Sequence, residues 1–95
     1  MVERFAQLDS IFSSLADPTR RDILRRVARK ELSVSAIARP YDLTFSAVSK
    51  HVNVLHKARL IHKHRRGREH VIELAPKALQ RTFTYLRQYE RLWNH

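Results

Sequence analysis

Cysteine is absent from this 95-residue sequence, and glycine occurs once, at Gly67. The lack of cysteine excludes disulfide bonds, thiolate metal ligands and a cysteine nucleophile, and it is typical of proteins in a reducing compartment. A single glycine excludes a glycine-rich phosphate loop. No apolar run approaches the roughly 18 residues of a membrane span, and the N-terminal residues lack the basic-then-apolar order of a signal peptide. We therefore expect a cytoplasmic protein.

Acidic residues are also scarce: nine Asp and Glu stand against nineteen Lys and Arg, a net charge of +10 with His neutral. The excess is concentrated between Arg39 and Arg68, where eight cations accompany one acid, Asp42. This balance indicates a polyanionic partner. A membrane surface is less favoured, because that partner usually requires a basic amphipathic helix with exposed apolar side chains, and half of these cations lie on a predicted hairpin.

The chain has the length of one domain with a small core. A domain of this size buries only a little over ~60% of the surface of its unfolded chain, so its stability alone is marginal. Two copies that share apolar surface would relieve this shortage. We therefore interpret residues 1–95 as a single domain that associates with a second copy.

Apolar residues at helical spacing predict a first helix over residues 4–15. Asp17 followed by Pro18 is a helix start signal, because Asp accepts from free backbone N–H groups and proline suits the first helical position. The second helix is predicted from Pro18 to about Arg29. Its core side would hold Ile23, Leu24 and Val27, and its water side would hold Arg20, Arg21, Arg25 and Arg26.

Two further helices are predicted before residue 60. Residues 31–34 form a short extended link, and Ser33 can cap a third helix over residues 34–39 that Pro40 ends. Thr44 can cap a fourth helix over about residues 44–58. A short helix, a tight turn and a longer helix match the helix-turn-helix plan.

The fourth helix has two contrasting faces. Its apolar seam consists of Val48, Val52, Leu55 and Ala58, and its opposite face of Ser46, Lys50, Asn53 and Lys57. The opposite face contains cations, a hydroxyl and an amide but no acid, which suits phosphates and base edges in a DNA major groove. For one such helix alone, an ordinary solvated surface is the more common explanation. Phe45, in its first turn, either packs inward, which we prefer, or contacts a thymine methyl group.

A basic hairpin follows directly, over residues 61–74. We expect Ile61 to pair with Ile72, which places Lys63 and His70 on their face. The predicted turn consists of Arg65, Arg66, Gly67 and Arg68. Arginine suits such a tip because its planar fork binds phosphate bidentately and can enter a narrow minor groove. A helix-turn-helix followed by a hairpin indicates a winged helix-turn-helix fold, mainly α with the order α1-α2-α3-α4-β-β-α5.

The last helix is predicted over residues 76–94, opened by Pro76. A terminal helix seldom exposes Trp and Phe, so its apolar stripe either packs on its own domain or pairs with a second copy. We favour a homodimer built from the first and last helices. The predicted interface residues are Phe5, Leu8, Phe12, Leu79, Phe83, Leu86, Tyr89 and Trp93.

The sequence resembles the ArsR-type winged-helix repressors over nearly its whole length. The resemblance is carried by LADPTRRDILRRV (residues 15–27), ELSVSAIARPYDLTFSAVSKHVNVLHKARLI (31–61), GREHVIEL (67–74) and YLRQYERLW (85–93), the last like the metal-independent branch. The combination of DPTRR, SAVSKHVNVL and the GR-turn hairpin is specific. It implies a dimeric repressor with the fourth helix in the major groove and the wings on flanking DNA.

Three departures from the family pattern bear on metals and on one helix end. Arsenic-sensing members have a motif like ELCVC, where this chain has Ser33 and Ser35, and residues 76–94 lack the Asp and His pairs by which other members bind metal. We therefore expect no metal and no other cofactor. The family usually has Gly where Arg59 stands. A left-handed Arg59 would cost about 1 to 2 kcal/mol, so we expect a differently built helix end.

The six histidines invite a metal hypothesis, which the predicted register opposes. His62 and His64 share one strand face, but His70 points to the other, and neither cysteine nor carboxylate completes a set of three or four ligands. We expect His51, at the edge of the helix seam, to be half-buried and to contact the DNA backbone rather than to be catalytic. The serines have no base and orienting acid at recognisable spacing, so we expect no enzyme.

The predicted function is sequence-specific binding of double-stranded DNA by a homodimeric repressor on an inverted-repeat operator. The predicted DNA contacts are Thr44, Phe45, Ser46, Ser49, Lys50, His51 and Asn53 on the fourth helix, Lys63, Arg65, Arg66 and Arg68 on the wing, and Arg20, Ser35 and Lys57 as secondary phosphate contacts. Two alternatives are open: a nucleic-acid packaging or RNA-binding protein bound through charge alone, and a protein-interaction module with an acidic partner. A small-molecule effector is not indicated by any motif.

Overall fold

The computed structural model describes residues 6–94, so Phe5 and the predicted helix start at residue 4 lie outside the described residues. The elements, in chain order, are α1 (Ala6–Leu15), α2 (Pro18–Arg29), β1 (Leu32–Ser33), α3 (Val34–Ala38), α4 (Phe45–Lys57), β2 (Ile61–Arg66), β3 (Glu69–Leu74), α5 (Pro76–Arg87) and a 3-10 turn (Glu90–Leu92). This is the predicted winged helix-turn-helix order, with one short strand, β1, where an extended link is predicted.

The helix starts follow the predicted caps. Each capping side chain accepts a hydrogen bond from the backbone N–H three residues later: Asp17 from Arg20 (2.9 Å), Ser33 from Ala36 (3.1 Å) and Thr44 from Ala47 (3.0 Å). Because each such bond satisfies a free donor of the first turn, these residues fix where α2, α3 and α4 begin. Capping hydrogen bonds within one helical turn therefore determine where the helices of the helix-turn-helix begin.

The core lies between the helices and the three-stranded sheet. The seam predicted on α4 is confirmed, since Val48, Val52, Leu55 and Ala58 are all buried. The core side of α2 is likewise confirmed, and α1 adds Ile11. The sheet closes this core with buried Ile61 and Ile72. Burial of one face leaves the other face of α4 free for contacts outside the molecule.

The sheet has the order β1-β3-β2, with antiparallel neighbours. The predicted pairing of Ile61 with Ile72 is wrong: Ile61 pairs with Leu74, and Ile72 pairs with Lys63. A two-residue shift leaves every side chain on its predicted face, because the strand period is two. The physical reason for the shift is the length of the turn.

The turn of the wing contains two residues, Gly67 and Arg68. Arg65 and Arg66 were expected in the turn but belong to β2, where they pair with His70 and Glu69. Gly67 has a φ of +66°, at the first central position, where a type II′ turn places glycine. A tight turn of this kind extends both strands, so the cations of the tip lie along a strand as well as at its end.

The last helix is shorter than predicted. After Arg87 the backbone changes to three-residue spacing, with Tyr89 N–H donating to Leu86 O at 2.9 Å, and a 3-10 turn follows in place of helix to residue 94. Ala78 and Thr82 are buried, and Leu79 packs against the core. The prediction that residues 76–94 form one helix is therefore wrong for the last seven, although the helix does dock its first two turns on the domain.

The end of α4 is left-handed at Arg59, with φ +63°. The Arg59 N–H donates to His56 O (2.9 Å) and the Leu60 N–H donates to Leu55 O (3.0 Å), which is the Schellman pattern. Leu55 and Leu60 are both fully buried, which supplies the apolar contact that accompanies this motif. The expectation of a differently built helix end is therefore wrong: the geometry that favours Gly is kept with Arg.

Replacing Arg59 with glycine should raise the free energy of unfolding by about 1 kcal/mol, because glycine adopts positive φ without the steric cost that a side chain incurs. The measurement is urea denaturation. Arg59→Ala is the matched control, since it removes the charge and keeps Cβ, and it should remain close to wild type. Equal stabilisation by both substitutions would assign the effect to charge and contradict the backbone explanation.

Candidate nucleic-acid interface

The outward face of α4 presents polar side chains to solvent. Ser46, Lys50, Asn53 and Lys57 are exposed, and Ser49 is half-buried beside them. Thr44, just before the helix, is exposed while its hydroxyl oxygen caps the first turn. The helix therefore offers cations, a hydroxyl and an amide along one side, as the sequence pattern predicted.

Phe45 does not pack inward, and the preference for a buried ring is wrong: 56% of its surface is exposed. The buried seam of α4 begins one turn later, at Val48. The ring at the first helical position therefore projects beyond the edge of the core. Leu43, just before the helix, is also exposed. The exposed ring agrees with the alternative prediction, in which Phe45 contacts a thymine methyl group.

The wing is tied to α4 by a direct hydrogen bond. The Lys63 ammonium in β2 donates to Asn53 Oδ1 at 3.0 Å. Because lysine can only donate, the amide oxygen must face Lys63, and the two N–H bonds of the amide stay free for another acceptor. We call the polar side of α4, together with Lys63 and the wing-tip residue Arg68, the α4–wing surface; it comprises Ser46, Lys50, Asn53, Lys57, Lys63 and Arg68.

The three arginines of the wing differ in what they contact. Arg65 folds back, with Nε donating to Gly67 O at 3.1 Å. Arg66 forms an ion pair with Glu31, next to β1, at 2.7 Å. Arg68 is exposed and has no hydrogen-bond or ion-pair partner in the described part of the chain. Arg68 is thus the wing cation most available to an external anion.

The ion pair of Arg66 joins the wing to the body of the domain. The Arg66 guanidinium lowers the pKa of the Glu31 carboxyl by donating a hydrogen bond to it, and Glu31 raises the pKa of Arg66 in return. Both side chains are exposed, so the pair adds little stability. No sequence pattern predicted the contact between Glu31 and Arg66. It depends on the pairing of β1 with β3, which was not predicted either.

Arg20 was expected to face water, but its guanidinium is half-buried and bonded within the fold. Nε donates to Ser14 O (2.7 Å), one terminal nitrogen donates to Ser13 O (3.1 Å), and the other lies 3.2 Å from His51 Nδ1. His51 is half-buried, as predicted. Arg20 therefore connects the end of α1 to α4. Ser35, the other secondary contact predicted before α4, is exposed in α3.

A second internal clamp holds the turn between α3 and α4. The Tyr41 hydroxyl donates to Asp22 of α2, which lowers the pKa of the Asp22 carboxyl. Arg26, also expected to face water, donates to Ile37 O at 2.8 Å, and its Cζ lies 5.2 Å from the centroid of the Tyr41 ring. These contacts hold α3 and the turn before α4 on α2. Their partners are eleven to nineteen residues apart in the chain, beyond the range of local patterns.

The histidines of the wing lie on the faces predicted for them. His62 and His64 are in alternate positions of β2, and His70 pairs with Arg65 on the opposite face. Among residues 6–94, the His, Asp and Glu side chains form no group of three or more that could hold a metal ion. None of the helices in this part of the chain combines the length and hydrophobicity that a bilayer crossing requires.

The far side of α5 and the residues that follow it expose large apolar side chains, four of which we call the apolar α5 face: Phe83 (64% exposed), Leu86 (43%), Tyr89 (41%) and Trp93 (69%). Phe83, Leu86 and Trp93 line one open groove with Arg87 and Glu90. On α1, Phe12 is exposed, whereas Leu8 is half-buried. Exposed apolar surface of this kind marks interaction sites in soluble proteins.

Comparison with known proteins gives a consistent result. A family model described as a helix-turn-helix domain matches residues 15–64. The HTH-type transcriptional regulator Rv2034 from Mycobacterium tuberculosis is 38% identical over 85 residues, which cover 90% of this chain and 77% of that protein.

Solved structures show the same fold. The crystal structure of an ArsR family transcriptional regulator superposes with a TM-score of 0.85 at 33% identity, covering 92% of this chain and 90% of the other. The solution structure of a homodimeric winged helix-turn-helix DNA-binding domain from Mycobacterium bovis has a TM-score of 0.77 at 21% identity, covering 99% and 87%. With its α4–wing surface and these relatives, the chain belongs to the ArsR-type winged helix-turn-helix family of sequence-specific DNA-binding transcriptional regulators.

Proposed function

We propose that residues 1–95 act as one DNA-binding domain, in a homodimer that represses transcription from an inverted-repeat operator in the cytoplasm. The observation that carries the proposal is the hydrogen bond between Lys63 and Asn53. This bond joins the polar side of α4 to the wing, which supports contact of both with a single duplex. Repression then follows from occlusion of the promoter by the bound dimer.

The contacts divide by chemistry. We propose that Ser46, Ser49, Lys50 and Asn53 face base edges in the major groove and that Phe45 meets a thymine methyl group. Arg65, Arg66 and Arg68 would lie along flanking phosphates or the minor groove, with Thr44, Ser35 and Lys57 as further backbone contacts. One terminal nitrogen of Arg66 is bonded to Glu31. Arg66 would therefore contact DNA either by leaving Glu31 or through its remaining N–H groups.

The apolar α5 face supports the homodimer. Its four residues are between 41% and 69% exposed. Contact of apolar surface with water is unfavourable, and a second copy that covered this face would remove it. The Mycobacterium bovis relative, which shares the fold, is itself homodimeric. Two subunits related by a twofold axis place their recognition helices in successive major grooves, so we expect half-sites centred about 10 base pairs, or a multiple, apart.

We further infer that the chain catalyses no reaction and requires no metal. The α4–wing surface combines cations, a hydroxyl and an amide, which bind and position DNA, and Ser33 and Ser35 stand where arsenic-sensing members have thiolate ligands. The α4–wing surface does not indicate which small molecule, if any, would release the protein from the operator.

Selection of bound fragments from random DNA, followed by titration of the selected duplex and a scrambled one, tests the proposal. Specific repression predicts an inverted repeat bound at least about 1,000-fold more tightly than random sequence. A packaging protein would bind both duplexes with near-equal affinity. An interaction module with an acidic protein partner would fail to bind either duplex in the nanomolar range.

Replacing Arg68 with alanine should weaken binding to operator and random DNA alike and lower the salt slope of log K by about one unit, because one phosphate contact is lost. Titrations at several salt concentrations measure this. Lys77→Ala is the matched control, since Lys77 follows β3 at the end opposite the wing tip, and its slope should equal wild type. An unchanged slope for Arg68→Ala would contradict the placement of the wing on DNA.

A further inference from the structure

The Arg20 guanidinium uses all three of its nitrogens inside the protein. Two donate to the last carbonyls of α1, Ser14 O at 2.7 Å and Ser13 O at 3.1 Å, and the third lies 3.2 Å from Nδ1 of His51. The planar fork of arginine holds three such directions at once. Three of the five N–H groups, one on each nitrogen, are thus engaged inside the protein, so the fold fixes the orientation of the guanidinium.

The arrangement fixes the proton on His51. A guanidinium can only donate, so Nδ1 of His51 must accept, and the neutral ring must carry its proton on Nε2. Asp17 does not compete for Nδ1, because its carboxylate oxygen is 3.9 Å away and accepts from the Arg20 backbone N–H at 2.9 Å. That backbone hydrogen bond also lowers the pKa of Asp17.

The Nε2 side of the ring is the free side. It has no hydrogen-bond partner in the described part of the chain, and it is not among the buried polar atoms that lack one. The His51 side chain is 22% exposed and lies on α4, one residue after Lys50. A donor at this edge of the helix is available to an anion outside the protein.

We propose that Arg20 is a positioning residue and that His51, held by it in the Nε2–H form, donates a hydrogen bond to a DNA phosphate beside α4. This rests on the proposed function for the placement of α4 on DNA. It replaces the expectation of a direct phosphate contact by Arg20. The same three bonds join the end of α1 to the recognition helix, so the ring is oriented by the helix that precedes α2.

The two roles of Arg20 predict different salt dependence. A direct phosphate contact contributes one released counterion, so its loss lowers the salt slope by about one unit. A neutral histidine that donates a hydrogen bond releases none. Arg20→Gln should therefore reduce operator affinity about 10-fold, the usual effect of losing a hydrogen bond to a charged group, with a slope equal to that of the control.

Arg21→Gln is the matched control. Arg21 has the same charge and donates to Leu15 O at 2.7 Å, at the same end of α1, but its side chain is exposed. It should bind the operator within about two-fold of wild type. Arg20→Lys is the second informative variant, because lysine keeps the charge and loses the fork. It should bind as weakly as Arg20→Gln, whereas full binding by Arg20→Lys would overturn the proposal.

A double-mutant cycle isolates the coupling. In a His51→Ala background, Arg20→Gln should cause no further loss of affinity, because the donor that Arg20 positions is already gone. Additive losses would overturn the proposal. If Arg20 variants fail to fold by circular dichroism, His51→Gln and His51→Asn give the answer with Arg20 intact. The longer glutamine carries an N–H to the Nε2 position and should retain binding, whereas asparagine should lose it about 10-fold.

The tautomer itself can be measured without DNA. Nitrogen-15 NMR of the wild-type protein in mildly alkaline solution should show His51 with Nδ1 unprotonated and Nε2 protonated. A dominant Nδ1–H form would overturn the inference whatever the protein binds. Absence of any operator preference would instead refute the proposed function and leave the tautomer result standing, so the two failures are distinguishable.

Discussion

Phe83→Glu is expected to convert the proposed homodimer to monomers and to weaken operator binding by about 100- to 10,000-fold, the range by which linking two binding events exceeds either alone. Phe83 is 64% exposed and lines the groove with Trp93. In the proposed dimer its ring enters apolar surroundings, where an unpaired carboxylate is strongly disfavoured. Sedimentation velocity and operator titration measure the two effects.

The control for this substitution is Gln80→Glu, which adds the same charge to an exposed position of α5 outside the groove. It should remain dimeric and bind normally. An isolated half-site should bind Phe83→Glu as well as wild type, since the reading surface of each subunit is intact. A Phe83→Glu protein that stays dimeric at micromolar concentration would refute the assignment of the interface.

Asn53→Ala is expected to lower operator affinity by about 1 to 3 kcal/mol, or about 5- to 150-fold, while binding to random DNA hardly changes. The reason is the orientation of the amide. Lys63 occupies Oδ1 at 3.0 Å, so Asn53 presents two N–H donors, which suit the acceptors at purine N7, guanine O6 or thymine O4. Titration of selected and scrambled duplexes measures the difference between the two losses.

The chain offers one other asparagine as a control, Asn94, which lies after the 3-10 turn and contacts Glu90. Asn94→Ala should bind both duplexes like wild type. Asn53→Asp adds a further test, because its carboxylate keeps an acceptor for Lys63 and removes both donors. Operator binding by Asn53→Asp at wild-type strength would show that the amide donors read no base.

Local patterns predicted the parts of the fold that local chemistry determines. Asp17, Ser33 and Thr44 form their predicted caps, because a cap bonds within one helical turn. The alternation of apolar and polar positions likewise predicted both faces of α4. In the wing, the predicted strand faces are confirmed and the predicted register is wrong. Apolar–polar alternation shows which face each side chain occupies, but only the length of the turn determines which residues pair.

The contacts that organise the candidate site are long-range and could not be predicted. Arg20 and His51 are 31 residues apart, and Arg66 and Glu31 are 35 apart. Arginine in a helix is equally compatible with solvent and with a buried acceptor, so the sequence pattern assigned Arg20 to water. The exposure of Phe45 was missed for a related reason, because helical spacing does not show where the core beneath a helix ends.

The left-handed end of α4 has a mechanical consequence. Between Lys57 and Ile61 the chain has three residues: Ala58 and Leu60 are fully buried, and the N–H groups of Arg59 and Leu60 donate the two Schellman bonds. This short, buried connection does not allow the recognition helix and the wing to move separately, so the two should move as one rigid body. An operator with a longer or shorter spacer can then be accommodated only by pivoting one whole subunit against the other, and tolerance to spacer length becomes a property of the α5 contact.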